Sequence, residues 1–246
     1  MLSLFRSKQI LKDIIPDNYI DIHSHLLPGI DDGAKTLKDS LRLTKALQGL
    51  GTSQFITTPH IIHHFWDNDI ETIQKTEEIT RNEFTKNKLS IPFRAAAEYM
   101  MDDYFVKLFQ SEKLLTLKDN YVLVEMSYIN PPIVLYSILF ELQVAGYIPV
   151  LAHPERYVFF HNNFDEYKKL INAGCLLQLN LLAVVGYYGE GIAKIAEKLL
   201  SKGMYSFVGS DAHHDKHITA FNQKIRCKDT KALKEVIANN EFFRIE

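Results

Sequence analysis

The chain has 246 residues, of which 46% are hydrophobic and 24% are charged, an ordinary composition for a globular protein with a sizeable core. Its formal net charge of -2 provides no overall attraction for nucleic acid or anionic lipid. Two cysteines, Cys175 and Cys227, are too few for a disulfide framework, so a reducing compartment is expected.

Residues 1–17 are predicted to be a lead-in to a single main domain, residues 18–246. This segment alternates short apolar pairs with Lys and Arg, and it lacks the apolar run and cleavage site of a signal peptide. A loosely packed lead-in is favoured over a short docking helix. No segment approaches the roughly 18 consecutive apolar residues that span a bilayer. We therefore expect a cytoplasmic protein with no membrane insertion.

Strand and helix patterns alternate along the rest of the chain. In chain order, the elements are a strand at 19–22, a helix at 36–50, a strand at 54–58, a helix at 68–88, strands at 93–97 and 121–124, a helix at 132–145, a strand at 148–151, a helix at 165–173, a strand at 176–179, a helix at 192–201, a strand at 205–208 and a helix at 231–238. Thr36 is predicted to cap the first helix, and Gly51 to end it. Two prolines are predicted at the start of the helix at 132–145, where they are tolerated.

Seven βα units with short connections predict a parallel sheet. No linker rich in Ser and Gly interrupts the series, so one closed or nearly closed barrel is favoured over an open doubly wound sheet. In both folds the C-terminal ends of the strands meet at one edge, where active sites form.

Imidazole and carboxylate side chains follow the predicted strands at that edge. They are His23, His25, Asp32, His60, Glu98, Glu125, His153, Asp211 and His213. Each alone has an ordinary structural explanation, but their joint placement predicts divalent ions, because uncompensated carboxylates would repel one another. Mixed nitrogen and oxygen ligands favour Mn, Fe or Zn over Ca. His23 and His25, two apart on a strand, point to the same face and can bind one ion, and Glu98 can bridge two.

Other chemistries lack their residues. There is no phosphate-binding loop of the Gly-x-x-x-x-Gly-Lys type and no Gly-x-Gly-x-x-Gly after the first strand. A cysteine phosphatase needs an Arg six residues after its thiolate, but Leu181 and Leu233 occupy those positions. The remaining histidines at 63, 64, 161 and 214 are interpreted as loop histidines that titrate near neutrality. Tyr187 and Tyr188 are interpreted as side chains that pack within a loop.

Several segments together resemble the polymerase-and-histidinol-phosphatase (PHP) superfamily, from about Asp17 to the C-terminus. They are Asp21-Ile22-His23-Ser24-His25, Asp31-Asp32-Gly33, Thr58-Pro59-His60, Ala97-Glu98, Val124-Glu125, Ala152-His153-Pro154-Glu155-Arg156-Tyr157 and Gly209-Ser210-Asp211-Ala212-His213. The Asp-Asp-Gly loop and the His-Pro-Glu-Arg-Tyr segment resemble the capsule-operon branch of that superfamily. Members of this branch are manganese-dependent protein-tyrosine phosphatases of bacteria.

The resemblance implies a distorted, TIM-like (β/α)7 barrel, the PHP fold, with three divalent ions. Mn²⁺ is favoured, and Fe, Zn or Mg is compatible. The implied ligands are His23, His25, Glu98 and Asp211 for the first ion, Glu98, Glu125 and His153 for the second, and Asp32, His60 and His213 for the third. Glu98 would bridge two ions and serve catalysis directly.

Phosphate binding by arginine is a further implication of the resemblance. Arg156 would clamp the phosphate. A second arginine, expected five residues after the last ligand histidine, is replaced by Ile218. His217 is the nearest candidate to assist, with an added charge when protonated, and the alternative is an ordinary loop histidine.

The implied reaction is hydrolysis of phosphotyrosine on a protein by metal-activated hydroxide. The implied partner is a bacterial tyrosine autokinase of capsular or exopolysaccharide synthesis and export. A phenolate, whose conjugate acid has a pKa of about 10, leaves more easily than an alkoxide. The alternative is a small-molecule phosphatase of the histidinol-phosphatase type. A nuclease would need a basic groove, and a structural metal site would be a closed four-ligand cage.

Overall fold

The structure, a computed structural model, describes residues 9–245, and within them nine strand segments pair in parallel. The segments are β1 (Tyr19–Asp21), β2 (Thr52–Thr57), β3 (His60–Ile61), β4 (Phe93–Ala95), β5 (Glu98–Met100), β6 (Tyr121–Glu125), β7 (Ile148–Ala152), β8 (Leu176–Asn180) and β9 (Phe207–Gly209). They form a three-stranded sheet of order β1-β2-β4 and a six-stranded sheet of order β3-β5-β6-β7-β8-β9.

Two of the predicted strands, at 54–58 and 93–97, are each followed by an additional short strand, which turns seven strand positions into nine segments. Thr58 and Pro59 separate β2 from β3, and Ala96 and Ala97 separate β4 from β5. Pro59 has no N–H to donate to a ladder. Hydrogen bonds cross the interruption, because the Ala96 N–H donates to the Thr57 carbonyl at 2.8 Å and the Glu98 N–H to the Pro59 carbonyl at 3.0 Å. The two sheets therefore follow one continuous curved surface.

The barrel closes between the extensions of β1 and β9. The Asp211 N–H donates to the His23 carbonyl at 2.8 Å, and the His25 N–H donates to the Ala212 carbonyl at 3.0 Å. Below them, the buried Asp21 carboxylate accepts from the backbone N–H of Ser210 at 2.9 Å. The predicted single-domain α/β barrel is confirmed, in a distorted form with interrupted strands.

Helices connect most of the strands. They are α1 (Leu37–Gln48), α2 (Ile70–Lys86), α3 (Asp103–Ser111), α4 (Leu135–Val144), α5 (Asp165–Asn172), α6 (Glu190–Ser201), α7 (Asp215–Ala220) and α8 (Thr230–Asn239). The predicted cap is confirmed, since Thr36 Oγ1 accepts from the Asp39 N–H at 3.1 Å. None of the helices in residues 9–245 has the length and apolar character that crossing a membrane would require.

One predicted helix start was wrong, and two helices were missed. The helix predicted from Pro132 begins only at Leu135, so both prolines lie in the preceding loop, because a residue before proline is disfavoured in the α conformation. α3 and α7 were not predicted. α3 begins after Asp102, whose side chain accepts from the Phe105 N–H at 2.8 Å.

An apolar cluster fills the barrel below its C-terminal edge. It contains Ile20, Ile22, Ile56, Ala96, Leu117, Leu123, Val150, Ala152, Phe207 and Phe243. Phe243 is fully buried and comes from a 3-10 turn, Asn240–Phe243, near the C-terminus. Most inward positions below the strand ends are therefore apolar, and Gln54 is an exception, since its Nε2 donates to the Phe243 carbonyl at 2.8 Å.

Part of the predicted lead-in packs against the domain. Leu11 is fully buried, and its N–H donates to the Gln223 carbonyl at 3.0 Å. The Lys12 N–H donates to the Phe221 carbonyl at 2.9 Å. The expected loose packing is therefore wrong for this stretch, because its apolar side chains are buried. Residues 1–8 lie outside the described residues, and the boundary at residue 17 stays a prediction.

Candidate metal centre

The nine side chains predicted as ligands lie together at the C-terminal edge of the barrel, and we call them the mouth cluster. It consists of His23, His25, Asp32, His60, Glu98, Glu125, His153, Asp211 and His213. All are buried or nearly so except Asp32, whose side chain is 53% exposed. Five of them line an open cavity of about 210 Å³.

The deepest part of the mouth cluster brings four ligand atoms around one point. His23 Nε2 lies 3.2 Å from Glu98 Oε2 and 3.4 Å from Asp211 Oδ1. His25 Nε2 lies 3.4 Å from each of the same two oxygens, and 3.3 Å from His23 Nε2. Ligands that bind one ion at about 2.0–2.2 Å in tetrahedral geometry have this spacing.

Glu98 also faces two further histidines. Its Oε1 lies 3.1 Å from His153 Nε2, and its Oε2 lies 3.2 Å from His60 Nδ1. His60 Nδ1 is 2.8 Å from Glu125 Oε1. Both Glu98 oxygens therefore face imidazole nitrogens, which is the arrangement that a carboxylate shared between ions requires.

The outer part of the mouth cluster surrounds Asp32. Its Oδ1 lies 3.3 Å from His213 Nε2 and 3.5 Å from His60 Nε2. The His213 ring stacks on that of His25, with centroids 3.9 Å apart. His60 thus points one ring nitrogen at Asp32 and the other at the Glu98–Glu125 pair.

The charges of the mouth cluster compensate one another. Burial would lower the pKa of His25, but the Asp31 carboxylate and hydrogen bonds raise it well above 6.5. Burial would raise the pKa of Glu98, but His23 and His60 hold it well below its usual range.

Unpaired buried atoms provide a test of whether this cluster fits metal ions. Six buried side-chain atoms of the described residues have no hydrogen bond of acceptable geometry, and three of them belong to the mouth cluster: His153 Nδ1, and His60 Nδ1 and Glu125 Oε1, which contact each other only as an ion pair at 2.8 Å. Buried polar atoms without partners are rare in native structures and call for an explanation such as an ion. The donor set and these atoms fit the divalent ions that the resemblance implies.

Two side chains that sequence reasoning missed orient the deepest histidines. Gln178 Oε1 lies 2.7 Å from His23 Nδ1, and Asp31 Oδ2 lies 2.8 Å from His25 Nδ1. Such outer partners fix the ring orientation of metal-binding histidines. Asp31 belonged to the Asp-Asp-Gly motif, although only Asp32 was assigned a role. Nothing in the pattern of β8 distinguished Gln178.

Arg156 lies at the rim of the cavity with its guanidinium held on several sides. Its Nη1 donates to Asp211 Oδ2 at 2.8 Å. Its Cζ lies 4.6 Å from the ring centroid of Tyr128 and 4.4 Å from that of Tyr188. Asn180 Nδ2 donates to Asp211 Oδ2 and to the Tyr188 hydroxyl, at 2.8 and 3.0 Å. The interpretation of Tyr188 as loop packing was wrong, because the chain folds back to bring its ring into the cavity wall.

His217 also lines the cavity, and it is 7% exposed. Its Nδ1 accepts from the His213 N–H at 3.1 Å. Burial lowers the pKa of His217 to about 3, so the expected gain of charge below neutral pH is wrong. Its help in binding phosphate stays a prediction, now as a neutral hydrogen-bond donor. Ile218, at the position expected for a second arginine, packs against the core instead.

Arg156→Ala should lower kcat/KM by about 10²–10³-fold at every pH, because a guanidinium stays charged and donates to developing charge. His217→Ala should cost less, and its ratio to wild type should not vary from about pH 5.5 to 8.5, since that range lies above the His217 pKa. Steady-state kinetics on an aryl phosphate measure both. A ratio of variant to wild type for His217→Ala that falls steeply as the pH is lowered from about 8.5 to 5.5 would contradict the assignment of a neutral ring.

Cys175 and Cys227 are both buried, and neither lines the cavity. Burial raises the pKa of Cys175 to about 12, so its thiolate is scarce at neutral pH. The double variant Cys175→Ala, Cys227→Ala should therefore keep a near-normal kcat. A loss of several orders of magnitude, in protein whose circular dichroism matches wild type, would show that the nucleophile had been misassigned.

Known proteins resemble this chain in sequence and in fold. The chain is similar to a putative tyrosine-protein phosphatase CapC of Staphylococcus aureus, with 32% identity over 79% of this chain and 76% of the relative. It is 28% identical to the tyrosine-protein phosphatase YwqE of Bacillus subtilis, over 80% and 78% of the two chains. An amidohydrolase structure from Mycoplasma synoviae shares only the fold, with a TM-score of 0.54 at 13% identity.

A solved structure covers nearly the whole fold. It is one of the crystal structures of YwqE from Bacillus subtilis and CpsB from Streptococcus pneumoniae, which are described as metal-dependent tyrosine phosphatases. The match has a TM-score of 0.80 and 25% identity, over 91% of this chain and 93% of the other. A family model described as capsular polysaccharide synthesis, CpsB/CapC, matches residues 19–239. The chain therefore belongs to the CpsB/CapC family, as the resemblance in its motifs predicted.

Proposed function

We propose that this chain is a metal-dependent phosphatase that hydrolyses phosphotyrosine on protein. The observation that carries the proposal is the mouth cluster, in which Glu98 contacts four histidines, with Arg156 at the rim of the same open cavity. Membership of the CpsB/CapC family supports it, because relatives in that family are tyrosine-protein phosphatases.

We propose that the mouth cluster holds three divalent ions, with Mn²⁺ as the resident metal. The ligand sets are His23, His25, Glu98 and Asp211, then Glu98, Glu125 and His153, and finally Asp32, His60 and His213. When bound, such ions neutralise phosphate oxygens and lower the pKa of bound water to about 7. Gln178 and Asp31 hold two of the imidazoles in orientation for this task.

Arg156 binds phosphate oxygens that the ions do not reach. Its planar fork can bind two oxygens at once, which Lys cannot reproduce. Asp211 and the rings of Tyr128 and Tyr188 restrict its movement, so little freedom is lost when phosphate binds. A phenol has a pKa of about 10, so tyrosyl oxygen leaves without strong help from a general acid.

The shape of the site favours a protein substrate over a small metabolite. The cavity is open, and the β6–α4 loop beside it exposes Tyr128, Ile129 and Ile133. A closed pocket would instead suit a small phosphate ester. We propose a bacterial tyrosine autokinase of capsular or exopolysaccharide synthesis as the partner, in the cytoplasm. Support comes from the family, whose description is capsular polysaccharide synthesis.

Turnover of three substrates by one Mn²⁺-loaded preparation tests the proposal. A phosphotyrosine peptide should be hydrolysed with a kcat/KM well above that of the matched phosphoserine peptide and of histidinol phosphate. Released phosphate and the dephosphorylated peptide are both measured. Preference for histidinol phosphate would make this chain a small-molecule phosphatase, and no turnover of any substrate would reject phosphatase activity.

A further inference from the structure

A second group of metal-type side chains lies outside the mouth cluster, on the turn that follows β3. His63 Nδ1 lies 3.1 Å from Asp67 Oδ1. The backbone N–H of His64 donates to the same oxygen at 2.7 Å. All three residues are exposed to solvent, so an ion can reach them without any opening of the fold.

An unusual backbone conformation brings the two imidazoles together. Neighbouring side chains on an extended chain point to opposite faces. His64 has a φ of 68°, in the left-handed region that few residues other than glycine adopt. Its ring therefore lies beside that of His63, with centroids 3.7 Å apart. The ring of Tyr104 also stacks on the His63 ring, at 4.4 Å and 11°. Strained residues of this kind are a reason to look for a function.

We propose that His63, His64 and Asp67 bind a divalent transition-metal ion of the Zn²⁺ type, at a site separate from the mouth cluster. One ligand atom from each of the three residues lies within 4.8 Å of the others, so small rotations bring them to one ion. Two imidazoles and one carboxylate suit Zn²⁺, Ni²⁺ or Cu²⁺ far better than Mg²⁺ or Ca²⁺. Three protein ligands leave a coordination position open to solvent.

An ion at this site would brace the turn that adjoins the cavity. The turn is closed by hydrogen bonds in both directions between Ile62 and Trp66, at 3.1 and 2.8 Å. Asn68, at its end, donates to the carbonyls of His60 and Ile30, both at 2.8 Å. Tying residue 63 to residue 67 would therefore stiffen the backbone that carries His60. The site itself does not depend on the proposed phosphatase activity.

Metal counting on the whole protein tests the site. Mn²⁺-loaded wild type and the double variant His63→Gln, His64→Asn are dialysed against Zn²⁺, and total Mn plus Zn per chain is measured by elemental analysis. Asn is chosen at position 64 because it tolerates the left-handed backbone. Zn²⁺ that replaces Mn²⁺ in the mouth cluster does not change the total of Mn plus Zn per chain in either protein. We expect the double variant to bind one ion fewer per chain.

Two further variants make the result specific. Asp67→Asn keeps an acceptor for the His64 N–H, yet it should weaken the additional Zn²⁺ by at least about tenfold in Kd, since even outer partners cost 10–100-fold. His161→Asn removes a half-buried loop imidazole elsewhere and should leave the total unchanged. Equal totals in wild type and the double variant would overturn the proposal, and so would an equal loss in the His161 control.

Discussion

Removal of bound metal should abolish turnover of phosphotyrosine, and Mn²⁺ should restore it best or nearly so. The reason lies in the mouth cluster, where four carboxylates and five imidazoles meet. Positive charge beside these carboxylates comes only from Arg156 at the rim and from imidazoles that take up protons. The measurement is kcat after chelation, after dialysis, and after addition of Mn²⁺, Zn²⁺ or Mg²⁺. Full activity in protein shown by elemental analysis to be metal-free would reject the proposed function.

The affinity of the metal-free protein for Mn²⁺ should depend on pH. In the metal-free protein the neighbouring carboxylates raise the pKa values of His25 and His60 well above the ordinary value, which favours the protonated form of both rings. An ion must displace these protons before it can bind. The affinity for Mn²⁺ should therefore increase as the pH is raised and weaken as it is lowered. Titrations at several pH values would measure this, and a flat profile would contradict the assigned ligands.

Glu98→Gln should lower kcat/KM more than any other single change in the mouth cluster. Glu98 is fully buried and faces four imidazoles, those of His23, His25, His60 and His153. Asp211 faces three imidazoles and Arg156, so Glu98 serves more of the proposed imidazole ligands than any other carboxylate in the cluster. Loss of an outer partner alone costs about 10–100-fold, and loss of a shared ligand should exceed that range. Asp32→Asn, at the exposed side, should cost less.

Controls separate this effect from a loss of folding. Glu77→Gln changes a half-buried carboxylate outside the cavity, which accepts from the Ala95 N–H, and should leave kcat/KM near wild type. Bound metal per chain should fall in Glu98→Gln while the circular dichroism is retained. If Asp32→Asn proved more damaging than Glu98→Gln, the proposed sharing of Glu98 between ions would be wrong.

Local sequence patterns predicted the strand positions and the residue types at their ends. Apolar runs report which segments form buried strands, and the first polar residues beyond them must lie at the C-terminal edge of a parallel barrel. For this reason the amino-acid sequence alone was sufficient to name the nine side chains of the mouth cluster. The family resemblance in the same segments proved correct.

Helix boundaries and short helices were harder to predict from local patterns. The two prolines before α4 were placed at the start of the helix, although they lie in the preceding loop and the helix begins only at Leu135. α7 spans only six residues, Asp215–Ala220, and its length hides any periodicity. The strand interruption at Thr58-Pro59 has a local cause, because Pro59 cannot donate to the ladder, whereas Ala96-Ala97 contains no residue that would predict an interruption.

What the sequence determined by itself is the set of ligand types and the edge at which they gather, because both follow from backbone periodicity. What only the tertiary structure decided is which atoms meet. Glu98 reaches His23 and His153 across 75 and 55 residues, and Arg156 meets Tyr128 and Tyr188 from separate loops. Burial, too, is a property of the closed barrel, and it is burial that lowers the pKa of His217 and keeps that ring neutral. Contacts between distant segments depend on closure of the chain upon itself, so no local pattern contains them.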